Sequence, residues 1–182
     1  ANTTGAENTG VGFKALFANT CGNKNVAVCY TALCSNSTGC QGTAIGDRAL
    51  CLNTTGYDNT GIGSLALAAN TTGIVNVAVG KGVMDSNTTG SFNVAMGTWA
   101  LTKQTTAERN TALGYQASTC ITTGGCNTAV GHYALQTTST GALNTAGGYD
   151  SLRNNTTASY NTAYGACTLF ANTTGALNTA VG

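Results

Sequence analysis

Proline is absent from this chain of 182 residues, and charge is scarce. A residue without an N–H has no place in continuous backbone ladders, so its absence suits a chain built mostly of them. Charged residues make up 7% and the formal net charge is +1. That excludes nucleic-acid binding, which needs clustered Lys and Arg to neutralise phosphates. No apolar run approaches the ~18 residues of a membrane span, so no membrane insertion is expected. A single His and six acidic residues leave little material for acid–base chemistry. Asp47, Asp58, Asp85 and Asp150 are scattered and form no carboxylate pair or calcium loop. Gly80-Lys81-Gly82 lacks the spacing of a phosphate-binding loop. No Cys-x-x-Cys occurs among the eight cysteines. We therefore expect no catalytic residue, no metal and no cofactor; the chain does not read as an enzyme.

A repeat fills the space these absences leave. Asn recurs at Asn2, Asn19, Asn36, Asn53, Asn70 and Asn87, a constant step of 17. The frame continues through Gln104, Ile121 and Thr138 and returns to Asn at Asn155 and Asn172. Counting that Asn as slot 1, slots 1–4 read Asn-Thr-Thr-Gly, as in Asn53 to Gly56. Slots 7–11 read Asn-Thr-Ala-Val-Gly, as in Asn127 to Gly131, and slots 14–15 read Ala-Leu, as in Ala66-Leu67. Slots 5, 6, 12 and 13 vary freely, as in Tyr57-Asp58, Glu108-Arg109, Asp47-Arg48 and His132-Tyr133. A fixed period of this size marks a solenoid.

Asn, Thr and Gly form helices poorly, and the apolar slots do not follow a 3.6-residue spacing. The expected fold is all-β: a single-stranded parallel β-solenoid, or β-roll, of 17-residue coils. Residues 1–182 read as one continuous array of about eleven coils, without a linker or capping domain. Short strands are expected at slots 7–11 and 13–16, with Asn/Thr/Gly corners between them. Slots that accept Asp, Lys, Tyr and Ser in turn must face water. Two columns are expected to form the core. The first is slot 10: Val11, Val28, Ile45, Ile62, Val79, Met96, Leu113 and Val130. The second is slot 15: Leu16, Leu33, Leu50, Leu67, Leu101 and Leu135. The Ala of slot 9 suggests a surface pressed close against another wall or chain.

The runs Asn127 to Leu135 and Asn172 to Gly182 resemble the repeats of tail-fibre-domain proteins. In style they are also similar to the head repeats of trimeric autotransporter adhesins, although those use a shorter repeat and seldom carry this many cysteines. The resemblance implies an extracellular fibre, often trimeric, on a cell or virion surface. As partners it implies further copies of the chain, in a homopolymer or trimer, and host or surface glycans.

Three side-chain types invite a closer reading. Asn2, Asn36, Asn53, Asn70, Asn87, Asn155 and Asn172 open sequons and are glycosylation candidates. The competing role is corner chemistry, in which the amide caps turns or stacks as a ladder. The Thr pairs of slots 2 and 3, such as Thr54-Thr55, raise ice binding as an alternative, against which stands their place at a corner. Exposed aromatic residues (Phe13, Tyr30, Trp99, Tyr115, Tyr133, Tyr149) are candidates for glycan contact, while His132 reads as solvent-facing.

The cysteines point to an oxidising compartment. Cys34 and Cys51 share slot 16 in consecutive coils, and the coil rise of ~4.8 Å lies within disulfide reach. Cys21 with Cys40, and Cys120 with Cys126, are the other intrachain candidates. Cys29 and Cys167 remain, near opposite ends of the array. With Ala1 in slot 17 and Gly182 in slot 11, both ends cut through a repeat. The expectation is end-to-end stacking with Cys29 of one subunit bonded to Cys167 of the next.

Overall fold

The computed structural model describes residues 2–182 as a β-solenoid with one strand per coil. Among these residues eleven strands of three residues run from β1 (Thr9–Val11) to β11 (Thr179–Val181) and form a single sheet in sequence order. Every neighbouring pair is parallel and exactly one repeat apart, as in Ala78 opposite Ala95. Ten spacings of ~4.8 Å make a sheet about 48 Å long.

The strands occupy slots 8–10 only; slots 13–16 are turns rather than the second strand expected from sequence. Three left-handed residues in each of the first ten coils, at slots 6, 13 and 15, account for this. In coil 4 they are Asp58 (φ 56°), Leu65 (φ 62°) and Leu67 (φ 53°). Left-handed backbone bends the chain too sharply for a strand and closes the coil within 17 residues. Slot 11 adds a further positive φ and a close approach. A Cβ on Gly46 (φ 135°) would lie 2.6 Å from the carbonyl carbon of Gly63 in the next coil. Cys29 alone takes this slot with a side chain, at φ 97°.

The interior is narrow. Slot 9 Ala, slot 14 Ala and slot 15 Leu are buried, including Ala78, Ala66, Leu33, Leu50, Leu67, Leu101 and Leu135. Leu16, in the first coil, is only partly covered. The slot 10 column departs from expectation, because it faces outward. Val11, Ile45, Ile62, Met96 and Val130 are exposed, and Val28, Val79 and Leu113 are half-exposed. Side chains alternate along a strand, so a buried Ala in slot 9 places slots 8 and 10 together on the outer face.

Two Asn ladders line the same interior. In slot 1, Nδ2 of Asn53 donates to Oδ1 of Asn36 (2.9 Å) and to the Gly56 carbonyl (2.9 Å). In slot 7, the backbone N–H and Nδ2 of Asn93 both donate to Oδ1 of Asn76 (3.0 and 3.1 Å). Each amide thus satisfies backbone groups that the corners leave without strand partners. The slot 1 ladder changes character at Gln104, Ile121 and Thr138. Gln104 Nε2 still reaches Asn87 Oδ1 (3.2 Å), whereas Ile121 is a wholly buried apolar substitute.

Candidate functional site

The outer face of the sheet carries slots 8 and 10 side by side. Slot 8 is Thr in most coils, including Thr43, Thr60, Thr111 and Thr128. On β2 (Val26–Val28), β5 (Val77–Val79) and β6 (Val94–Met96) it is valine. Slot 6 borders this face and is exposed, with Val75, Phe92 and Leu143 among its apolar members. The slot 10 column is aliphatic from Val11 to Val130, an unpartnered apolar strip along most of the face. The alternation Thr-Ala-Val was its signal in sequence, and the valines of coils 5 and 6 were the departure to notice.

Of the corner Thr residues, slot 3 members such as Thr55, Thr72 and Thr89 stay exposed, whereas their slot 2 neighbours are tied to the next coil. Slot 2 hydroxyls are used internally: Thr54 Oγ1 donates to the Thr71 carbonyl (3.1 Å), and Thr71 Oγ1 to the Thr88 carbonyl (3.0 Å). The sequon asparagines are committed as well. Asn36, Asn53, Asn70, Asn87 and Asn155 are buried, with Nδ2 donating inside the coil, so the folded chain offers no accessible amide there. Asn2 is exposed and Asn172 half-exposed.

The structure holds all eight cysteines as free thiols and forms none of the expected pairs Cys34–Cys51, Cys21–Cys40 and Cys120–Cys126. In an in-register array the side chains of one slot run parallel, as those of Cys34 and Cys51 do in slot 16. Cys34 Sγ instead donates to the Cys51 carbonyl (3.3 Å), and Cys51 Sγ to the Ala68 carbonyl (3.5 Å). Cys29 and Cys167 are exposed. Cys51 borders a shallow groove of about 480 Å³, lined also by Arg48, Leu65, Ala68 and Asp85. Burial, with Cys34 beside it, pushes the Cys51 thiol up. Burial also raises Asp85, against a hydrogen bond from Ser86 Oγ (3.0 Å).

The aromatic residues form a ladder. Tyr115, His132 and Tyr149 occupy slot 12 of consecutive coils and stack at centroid distances of 5.1 and 5.5 Å, each pair within 19° of parallel. Phe13 and Tyr30 do the same at 5.4 Å. Arg153 lies 4.5 Å over the Tyr133 ring and pairs with the buried carboxylate of Asp150 (3.2 Å). Ring faces inside the slot 12 run are turned toward one another, so edges rather than faces meet solvent. A sugar ring stacking on an aromatic face finds little there.

Two aromatics cover glycines one coil back. A Cβ on Gly82 would lie 2.8 Å from Trp99 Cδ1, and one on Gly147 would lie 2.6 Å from Tyr164 Cδ1. Gly82→Ala is expected to displace the indole and cost about 1–3 kcal/mol by overpacking. Trp99 is the chain's one tryptophan, so a red-shifted emission with a lowered melting temperature checks this. Unchanged emission would mean that the ring does not rest on Gly82.

Among the described residues, no group of three or more His, Cys, Asp or Glu comes together, and no helix is long and apolar enough to cross a membrane. No protein family, curated protein or solved structure matches the chain.

Proposed function

We propose that this chain is a structural segment of an extracellular fibre or filament, displayed on a cell or virion surface, which self-associates laterally through the outer face of its sheet. No catalytic role and no cofactor enter this reading. The observation that supports it is the outward aliphatic column of slot 10, from Val11 to Val130, on one continuous sheet. Apolar surface in a long strip marks an association surface, because leaving it in water forfeits ~25 cal/mol for every Å² that a partner could cover. The sheet gives the rod its length, and the variable slots 12 and 13 would meet the surface to which the fibre adheres.

Ice binding is the second reading, favoured by one observation. The slot 8 hydroxyls of Thr43, Thr60, Thr111 and Thr128 stand on the sheet rather than at a corner. Against it, Val26, Val77 and Val94 interrupt the Thr column, and Met96, Leu113, Gly147 and Tyr164 break the regularity of slot 10. A lattice-matched surface needs repetition, and this one varies in bulk from Gly to Tyr.

Sedimentation velocity and negative-stain imaging over a concentration series test the proposal. Paired or bundled rods are the expected result. Single rods at several hundred micromolar, together with faceted ice crystals, would replace the fibre by the ice-binding reading.

A further inference from the structure

We infer that two copies of this chain pair antiparallel, sheet face against sheet face, about a two-fold axis that passes between β5 and β6. The inference rests on the lateral self-association proposed above and adds the partner, its direction and its register.

The starting observation is a break in the repeat. In coils 5 and 6, slots 6, 8 and 10 are all apolar: Val75, Val77 and Val79 in one, Phe92, Val94 and Met96 in the next. Phe92 and Met96 are 47% and 46% exposed, and the other four are exposed or half-exposed. Four of these side chains stand on the strands and two, Val75 and Phe92, on the exposed corner beside them, so that they form a two-by-three grid in slot and coil at the middle of the array. The strands on either side return to Thr in slot 8, at Thr60 and Thr111. An apolar centre with a more polar surround is the anatomy of an interface, and the centre is where binding energy concentrates.

The charges supply the direction. One coil before the grid, slot 6 holds Asp58; one coil after it, slot 6 holds Arg109. Both are exposed, and neither joins an ion pair among the described residues. The Arg109 guanidinium leans toward the grid, 6.0 Å from the Phe92 ring centroid. A two-fold axis perpendicular to the rod, through the middle of the grid, exchanges coil 4 of one copy with coil 7 of the other. An isologous contact of this kind makes each pairing twice. Asp58 then faces Arg109 at two symmetric positions, Val77 faces Val94 at the centre, and Thr60 faces Thr111. In a parallel arrangement the slot 6 border of one copy runs beside the slot 12 border of the other. Asp58 and Arg109 then stay three coils apart, roughly 14 Å, and never meet.

The area suffices. The strand face, about 48 Å long and about 10 Å wide over slots 8–10, covers roughly 480 Å² on each copy. With the exposed slot 6 side chains beside it, the total reaches the ~1,000 Å² that a specific interface requires.

Charge reversal in the full chain, read as a dimer Kd by sedimentation equilibrium, tests the pairing. Asp58→Arg and Arg109→Asp each place like charges opposite one another twice, and each is expected to weaken the dimer about tenfold or more. The double swap, Asp58→Arg with Arg109→Asp, restores the opposition and should return Kd to within about threefold of the wild type. Asp58→Asn and Arg109→Gln serve the same comparison if a reversed variant melts early, with a smaller loss expected in each and increased salt closing the gap to wild type. A wild-type chain that stays monomeric at several hundred micromolar overturns both the lateral-association reading and this pairing. An oligomer whose Kd ignores the single changes, or whose double swap weakens it further, overturns the two-fold pairing alone and leaves self-association standing.

Discussion

Leu67→Asp is expected to unfold the middle of the rod, at a cost above about 4 kcal/mol. Leu67 is fully buried in slot 15, in line with Leu50 and Met84, which are also covered. No cation is at hand in that Ala/Leu interior, so the carboxylate must be desolvated without a partner or be protonated to enter. Removing the leucyl side chain adds the usual loss for a large apolar group in a packed core. Val79→Asp, only twelve residues further on, is the sharp contrast. Val79 is half-exposed on the outer face, and the penalty there should stay near the ~1 kcal/mol range of strand preference. Thermal melts by circular dichroism at dilute protein, where association does not contribute, decide the matter. Equal losses for the two variants would mean that the outward assignment of slot 10 is wrong.

Asn93→Ala should be nearly as damaging, although it only shortens one polar side chain. Asn93 Oδ1 accepts from the Asn110 backbone N–H (2.9 Å), and its Nδ2 donates to Asn76 Oδ1 (3.1 Å) and to the Ala107 carbonyl (3.0 Å). Alanine leaves an N–H and a carbonyl unpaired in a dry interior and opens a small cavity. Together these cost about 2–5 kcal/mol. Asn172→Ala makes a fair control, since Asn172 is half-exposed and water can replace its bond to the Gly175 carbonyl (2.9 Å). Hydrogen exchange gives the local readout. The Asn110 amide should lose protection in Asn93→Ala, with the neighbouring coils following. Retained protection at Asn110 would show that the ladder is dispensable.

How much of this was legible beforehand depends on the column. The 17-residue step and the near-constancy of slots 4, 7 and 15 dictated a parallel in-register stack, and the stack is there. The Asn columns also read correctly as corner and ladder chemistry, because no other side chain offers an acceptor and a two-hydrogen donor at that length. Slot 10 misled, since a run of Val, Ile and Met suggests a core. What decides the face is the strict period of two: small Ala is pressed inward by the opposite wall, and its larger neighbours must then point out. Cys34 and Cys51 show a related limit of reading by columns. Shared slots bring Cα atoms close but align the side-chain directions, so Cys34 meets a carbonyl rather than a sulfur. The second strand was lost to the left-handed residues at slots 13 and 15, for which Lys14, Arg48 and Leu65 carry no visible mark. Ser118 occupies slot 15 where leucine is the rule and is buried with an unpartnered hydroxyl; nothing in the structure explains it.

The spacing of the ladder bonds has a bearing on how such a chain comes to be folded. Each of them, from Thr43 N–H to the Asn59 carbonyl or from Val77 N–H to the Asn93 carbonyl, joins one coil only to the next. Sheet proteins ordinarily wait for distant segments to find one another, and they fold slowly for that reason. Here the typical separation divided by chain length is about 0.09, a value characteristic of helical bundles. A nascent chain can therefore add each turn to a template already in place as soon as another seventeen residues emerge, growing from one end as a crystal grows by layers.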